Sequence, residues 1–216
     1  VNPVTVTLAL ANSAVNAVSL TQAGPTGAGN LLINGTKATA GVATFDVARR
    51  VLFTPAGAES GNGTIWTIYG TSRSGAAIQE TVNGVDNPTT VGTNQDFLTV
   101  TRIAVNKTQA GNVQVGTSGI ASGPWIMMNN ATNPINLGVG VTVTGTINFS
   151  VEYTYQDPNT LAAGSYPSVW TQSALAAKTA NTDGSFTFPM WGARLTQNSF
   201  SSGATATATF IQAGIG

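Results

Sequence analysis

The sequence predicts an all-β protein: an antiparallel β-sandwich or jelly-roll-like body over residues 46–216, preceded by an N-terminal β arm or small β subdomain over residues 1–45. Three observations lead there. Short apolar/polar alternations recur, the period-two signature of half-buried strands. Clusters of Gly, Asn, Pro and Ser separate them at intervals of about 8–12 residues, as in sandwiches and barrels. Thr, Ala, Gly, Asn, Ser and Val fill the chain, and no segment sustains the period of an amphipathic helix.

In chain order, Val4, Val6, Leu8 and Leu10 alternate with Thr5, Thr7 and Ala9 in a first strand. Residues 31–33 follow a Gly-rich turn and end at Asn34-Gly35. A strand over 47–54 is stopped by Pro55 and Gly57, and Gly61-Asn62-Gly63 leads into 64–69. Further strands are expected at 77–82, 97–105, 113–115, 139–143, 146–155, 186–196 and 205–211, with Gly145 dividing the long pair. One connection is long, 157–184, and inside it 169–178 is a candidate helix of about two or three turns. A connection of that length is usually functional or disordered; Tyr166 and Trp170 argue against disorder.

A weak internal repeat is visible. Arg102-Ile103-Ala104-Val105-Asn106 leads to Gly111 and a new β run, and Arg194-Leu195-Thr196-Gln197-Asn198 leads to Gly203 and another. Arg50-Val51-Leu52-Phe53, leading to Gly61 and Ile65, is a looser third instance. Each reads as a hairpin used again.

Composition excludes much chemistry. The chain has no Cys and no His, so zinc fingers, thiol nucleophiles, Ser-His-Asp triads and histidine pH switches are absent. Eight Lys/Arg balance eight Asp/Glu, too few cations for a nucleic-acid surface. No run reaches the roughly 18 apolar residues of a membrane-spanning helix. Val1-Asn2-Pro3 opens without signal-peptide character, which fits removal of an initiator Met or of an earlier leader. Only 7% of residues are charged, so little electrostatic repulsion opposes association. The expected state is packed against copies of itself or other proteins.

The carboxylates Asp46, Glu59, Glu80, Asp86, Asp96, Glu152, Asp157 and Asp183 form no catalytic spacing. Glu80 and Glu152 could face one sheet, as a glycosidase pair must converge across a cleft, but solvent-facing strand charges are the simpler reading. No metal or cofactor motif is present, so no cofactor is expected and the protein is not expected to be an enzyme. Trp66, Tyr69, Trp125, Tyr153, Tyr155, Trp170 and Trp191 could form a sugar-stacking platform, although core filling accounts for most of them and Trp125 looks buried. Trp170 is the aromatic expected at a protein interface. Arg49 and Arg50 point to opposite faces of one strand, one pairing with a carboxylate and the other free to anchor an interface. The candidate interface residues are Val4, Val6, Leu8, Arg49, Tyr166, Trp170 and Leu175.

Several segments together resemble virion structural proteins of tailed bacteriophages, of the head decoration (cement) type. They are Ala48-Arg49-Arg50-Val51-Leu52-Phe53-Thr54, Gly63-Thr64-Ile65-Trp66-Thr67-Ile68-Tyr69, Gln79-Glu80-Thr81-Val82-Asn83-Gly84 and Phe97-Leu98-Thr99-Val100-Thr101-Arg102-Ile103. Gly111-Asn112-Val113-Gln114-Val115, Pro189-Met190-Trp191-Gly192-Ala193-Arg194-Leu195 and Phe210-Ile211-Gln212-Ala213-Gly214-Ile215 add to them. The resemblance spans residues 45–215, leaves 1–45 and 158–184 outside it, and carries no functional residue with it. It implies a capsid-binding protein on the outer surface of the phage head, a homo-oligomer (trimer or dimer) whose partner is the major capsid protein. An extended N-terminal strand could add to a neighbour's sheet. The alternatives are a head or tail fibre or adaptor that binds glycans, and a minor tail component.

Overall fold

The computed structural model describes residues 3–56, 63–109, 111–130, 136–162 and 165–213. Val1-Asn2, Gly57, Glu59, Gly61-Asn62 and Gly214-Ile215, named above, lie outside the described residues. The strands are β1 (Val4–Ala9), β2 (Ser19–Ala23), β3 (Gly29–Asn30), β4 (Ala38–Thr39), β5 (Val42–Arg49), β6 (Val51–Ala56), β7 (Ile65–Thr71), β8 (Ala77–Asn83), β9 (Val91–Gly92) and β10 (Phe97–Val105). They continue with β11 (Asn112–Thr117), β12 (Ala121–Ser122), β13 (Ile126–Met127), β14 (Asn136–Thr144), β15 (Ile147–Thr154), β16 (Trp170–Thr171), β17 (Thr182–Phe186), β18 (Gly192–Phe200) and β19 (Thr205–Ala213). All pairings are antiparallel. No described helix is long and apolar enough to cross a membrane.

The chain divides into two compact units. One is split in sequence: Val1–Asn12, Ile120–Ala162 and Tyr166–Gly216. The other is inserted into it: Ser13–Gly119 with Ala163–Ser165. In the split unit the strands pair as a nested ladder, first with last and inward from there. β1 pairs with β19, β12 and β13 with β18, β14 with β17, and β15 with β16. The ladder falls into two sheets, β1-β19-β14-β17 and β12-β18-β15-β16, with β13 also on β18. Eight strand positions nested this way across two sheets make a jelly roll.

The inserted unit repeats the plan. β2 pairs with β11, β3 and β5 with β10, β6 with β9, and β7 with β8. Its sheets are β2-β11-β6-β9 and β4-β5-β10-β7-β8. The second jelly roll therefore enters the first between its first and second strand positions. The hairpin β4–β5 turns through Ala40 and Gly41, both at positive φ (50° and 79°), the two-residue geometry that matches strand twist.

Each unit has its own core. In the inserted unit Phe53 stacks on Trp66 with ring centroids 5.4 Å apart, among Ile68, Phe97, Ile103 and Val115. In the split unit Leu8, Phe149, Val151, Phe186, Leu195 and Phe210 are buried. Each such side chain contributes about 1.5–3 kcal/mol on burial, so two apolar interiors hold the sheet pairs together without disulfides.

The all-β sandwich expectation holds; two strand boundaries differ for one physical reason, and other details differ locally. A chain that keeps an apolar face inward while turning a sandwich corner shows no break in its pattern. The run 47–54 is β5 and β6, in different sheets, turning at Arg50. The run 186–196 is the last residue of β17, a turn around Pro189, and β18 in the opposite sheet. Residues 31–33 form no strand beyond β3, although Leu31 and Ile33 are buried. The candidate helix at 169–178 is β16 followed by a single 3-10 turn, Ser173–Leu175, with Gln172 accepting from the Ala174 N–H. The connection around it is ordered by backbone bonds: Phe149 N–H donates to Lys178 O, Lys178 N–H to Phe149 O, and Gln172 N–H to Val151 O. A boundary after residue 45 would cut β5, and residues 1–12 and 13–45 fall in different units.

The internal repeat acquires a structural meaning. Arg102 to Gly111 runs from β10 to β11, and Arg194 to Gly203 from β18 to β19. These are the same two positions, seventh and eighth, in the two jelly rolls. Neither is a hairpin, because in each the second strand lies in the opposite sheet. Arg50 to Ile65 joins β6 to β7, the third-to-fourth crossing.

Candidate functional site

Several charged groups are engaged inside the fold. Arg49 is 2% exposed, and its Nη2 donates to Asp46 Oδ1 at 2.6 Å. Burial pulls its guanidinium below the usual pKa, opposed by Asp46. Glu80 is buried, and its carboxylate accepts the backbone N–H groups of Asn94 and Gln95, both at 2.8 Å. Glu152 Oε2 accepts from Arg194 Nε (2.9 Å), Arg194 Nη2 (2.8 Å) and the Thr196 hydroxyl (2.7 Å). Arg194 also lies over the Trp125 ring, 4.5 Å from its centroid, and Arg102 lies 3.8 Å over its cross-strand neighbour Tyr69. Glu80 and Glu152 are thus structural anchors in separate units rather than solvent-facing strand charges. Among the described residues no group of three or more His, Cys, Asp or Glu could hold a metal ion. An open trough of about 370 Å³ over β14, between Thr207 and Asp183, holds Asp183 as its one ionisable lining group.

What the split unit does present is a cluster of aromatic rings. Tyr153 on β15 is the direct cross-strand partner of Trp170 on β16, their rings 6.2 Å apart and nearly parallel at 28°. Tyr155 meets Trp170 edge-on at 5.1 Å and Tyr153 at 5.5 Å, 90°. Phe188, just past β17, lies 5.2 Å from Tyr153 and 5.7 Å from the buried Phe186. Edge-to-face and offset contacts of this kind add about 0.5–1.5 kcal/mol per pair beyond area burial. The base of the cluster therefore grows out of the core while its outer members stay wet: Tyr155 is 48% exposed and Trp170 43%. The loop between β15 and β16 is tied by Gln156, whose Oε1 accepts the Ser168 N–H. Desolvation by burial, helped by a hydrogen bond with Tyr155, raises the Tyr153 pKa above its ordinary 10.0, so the Tyr153 ring is neutral across the physiological range. The arrangement can stack flat apolar surfaces, and its polar atoms are the hydroxyls of Tyr153 and Tyr155 and the indole N–H of Trp170.

The residues expected at an interface are divided by the structure. Trp170 is in the cluster, and Tyr166 is exposed but outside the ring contacts. Val4 is 43% exposed at the start of β1. Val6 and Leu8 are buried, because β1 pairs with β19 in its own sheet and turns that face to the core. Arg49 and Leu175 are buried too, Leu175 against Gly184. Of the sugar-platform candidates, Trp66 is core, Trp191 is exposed, and Trp125 is half-buried beneath Arg194 rather than fully buried. Phe186 and Phe188 were not singled out in the sequence. Their signal was present: Phe186-Thr187-Phe188 and Tyr153-Thr154-Tyr155 each repeat an aromatic at i and i+2, placing both rings on one side of a strand.

No protein-family model matches the chain, and no curated protein matches it.

Proposed function

We propose that the protein is a non-enzymatic structural component of a tailed-bacteriophage virion, a decoration (cement) protein on the outer surface of the head that binds the major capsid protein and copies of itself. The observation that carries this reading is a contrast. Arg49, Glu80, Glu152 and Arg194 are engaged in holding each jelly roll together internally, while the surface displays an aromatic cluster suited to docking. Tyr and Trp anchors of this kind dominate protein interfaces, and a repeating lattice multiplies a modest contact into avidity. The resemblance of residues 45–215 to virion proteins supports the setting. Jelly rolls also occur in lectins and cupins, so the fold by itself does not choose among functions. With no His in the chain, capsid binding should be flat between about pH 6 and 8.

Quantitative mass spectrometry of purified particles tests it. A copy number equal to the capsid subunit number, or a simple fraction of it, supports decoration. A handful of copies moves the protein to the tail or a fibre, and absence from the particle ends the virion reading. A second reading, a glycan-binding fibre or adaptor, is favoured by the exposure of Tyr155 and Trp170 together. Glycan binding lost in Trp170→Ala, with capsid binding unchanged, would select it.

A further inference from the structure

We propose that the free edge of β1 is a self-association surface, through which two copies of this chain join antiparallel across a two-fold axis and continue the sheet β1-β19-β14-β17 from one molecule into the next. The inference rests on the edge alone, not on the virion reading, and it names a surface and register which that reading leaves open.

The first observation is what happens at the other sheet edges. β2 holds the position in the inserted jelly roll that β1 holds in the split one. Its edge is covered by its own chain: Gln22 Nε2 donates to Leu32 O, Gln22 Oε1 accepts the Leu32 N–H, and Asn34 Oδ1 accepts the Leu20 N–H. β8 is covered by residues 94–95, with Gln95 Nε2 donating to Gln79 O and Glu80 holding both backbone N–H groups. β17 is covered by the turn that follows β16, with Gln172 Nε2 donating to Ser185 O. The edge strands β4, β9, β12 and β16 are two residues each. β1 has six residues, pairs with β19 on one side, and makes no hydrogen bond to a described residue on the other.

The second observation is the character of that edge. Proteins blunt exposed edges with charge, proline or a bulge. β1 reads Val-Thr-Val-Thr-Leu-Ala, pairs with β19 in unbroken register, and carries no charge; the first charged residue of the chain is Lys37. No charge on the strand therefore repels a second copy.

The third observation selects the occupant. Matching faces across a two-fold requires residues of the same face to sit opposite one another. An axis at any β1 residue does this, and the one at Val6 also sets the two outer threonines against each other: Thr5 faces Thr7 of the other copy, and Val4 faces Leu8. The hydroxyl pairs Thr5–Thr209 and Thr7–Thr207 on the outer face would then run on across the junction. Val4, exposed within one molecule, would be covered.

The test is sedimentation of the full chain at micromolar concentration, with two sets of variants. Thr5→Lys/Thr7→Lys places lysines opposite each other across the axis, and like charges directly opposite destabilise a strand pair. Thr142→Lys puts the same charge on the same sheet face, away from the edge, and circular dichroism confirms that both variants fold. The expected result is a wild-type dimer that Thr142→Lys retains and Thr5→Lys/Thr7→Lys loses. Because the chain has no Cys, Thr5→Cys mixed with Thr7→Cys reports register: opposed strand positions fall within disulfide range, so the mixed 5–7 cross-link should exceed either self-link. A monomer at micromolar concentration, a dimer untouched by the double lysine variant, or a cross-link pattern without the 5–7 preference would each overturn the proposal. None of these outcomes depends on particle binding, so failure here and failure of the virion reading are separately visible.

Discussion

Gln197 is a polar side chain in an apolar position, and replacing it should stabilise the protein. It lies on the core side of β18, opposite Phe149, and is fully buried. Neither its Oε1 nor its Nε2 has a hydrogen-bond partner. The corresponding residue of the other jelly roll, at the same offset from the repeated arginine, is Val105, which lies opposite Trp66. A buried polar group left unsatisfied costs about 1–3 kcal/mol. Methionine keeps the length and approximate volume, and volume-conserving swaps cost less than about 1.5 kcal/mol. Gln197→Met should therefore gain about 1–2 kcal/mol, the desolvation relief less some repacking. The reciprocal change, Val105→Gln, should destabilise the inserted unit by about 1–3 kcal/mol. Urea unfolding followed by tryptophan fluorescence reads both, because Trp125, Trp170 and Trp191 belong to the split unit and Trp66 to the inserted one. A loss of more than about 1 kcal/mol in Gln197→Met would refute the reasoning, since it would mean that the amide earns its place through a bridging water.

Three further outcomes are expected. Arg194→Ala leaves Glu152, with 13% of its side chain exposed, short of two donors and uncovers Trp125; breaking a buried pair from one side costs about 3–5 kcal/mol, and the partial exposure places this case at or below the lower end, read by chemical denaturation. Gly70→Ala should destabilise by about 1–3 kcal/mol, because a Cβ there would collide with the backbone oxygen of Thr99, whereas Gly140→Ala, with nothing within 4 Å, should leave the melting temperature nearly unchanged. In an ultraviolet titration Tyr153 should ionise above its ordinary value. The folded state then holds the proton more tightly than the unfolded chain, so this contribution is complete below about pH 10 and is lost as pH rises through the folded pKa. Tyr155→Phe should bring that titration part of the way back, since desolvation is the larger cause.

The strands were legible because period-two alternation is local: β1, β7, β8, β10, β15 and β19 stand close to where their Val, Ile, Thr and aromatic residues place them. The corners were not. Val51 continues the buried run of Ala48 and Arg49 while the chain passes into the opposite sheet, because both strands turn their inner side to the same interior. The helix-like composition of 169–178 gave way to β16 and one 3-10 turn, tied by backbone bonds to Phe149 and Val151 that no local pattern encodes. Val6, Leu8 and Leu175 have the same side chains in a core or at an interface, and only their pairing partners place them inside.

The class of the fold, the absence of thiol and imidazole chemistry, the low charge, and the repeat anchored on Arg102 and Arg194 were legible from the chain alone. Those properties are carried by residue type and short spacing. The folded arrangement was needed to establish that the repeat marks equivalent strands of two jelly rolls, one inserted in the sequence of the other. Only it brought Tyr153, Tyr155, Trp170 and Phe188 together and left β1 as the one long uncovered edge among the described strands. Each of these depends on which strands lie side by side, and in a nested antiparallel ladder the neighbours are as far apart in sequence as Thr5 and Thr209.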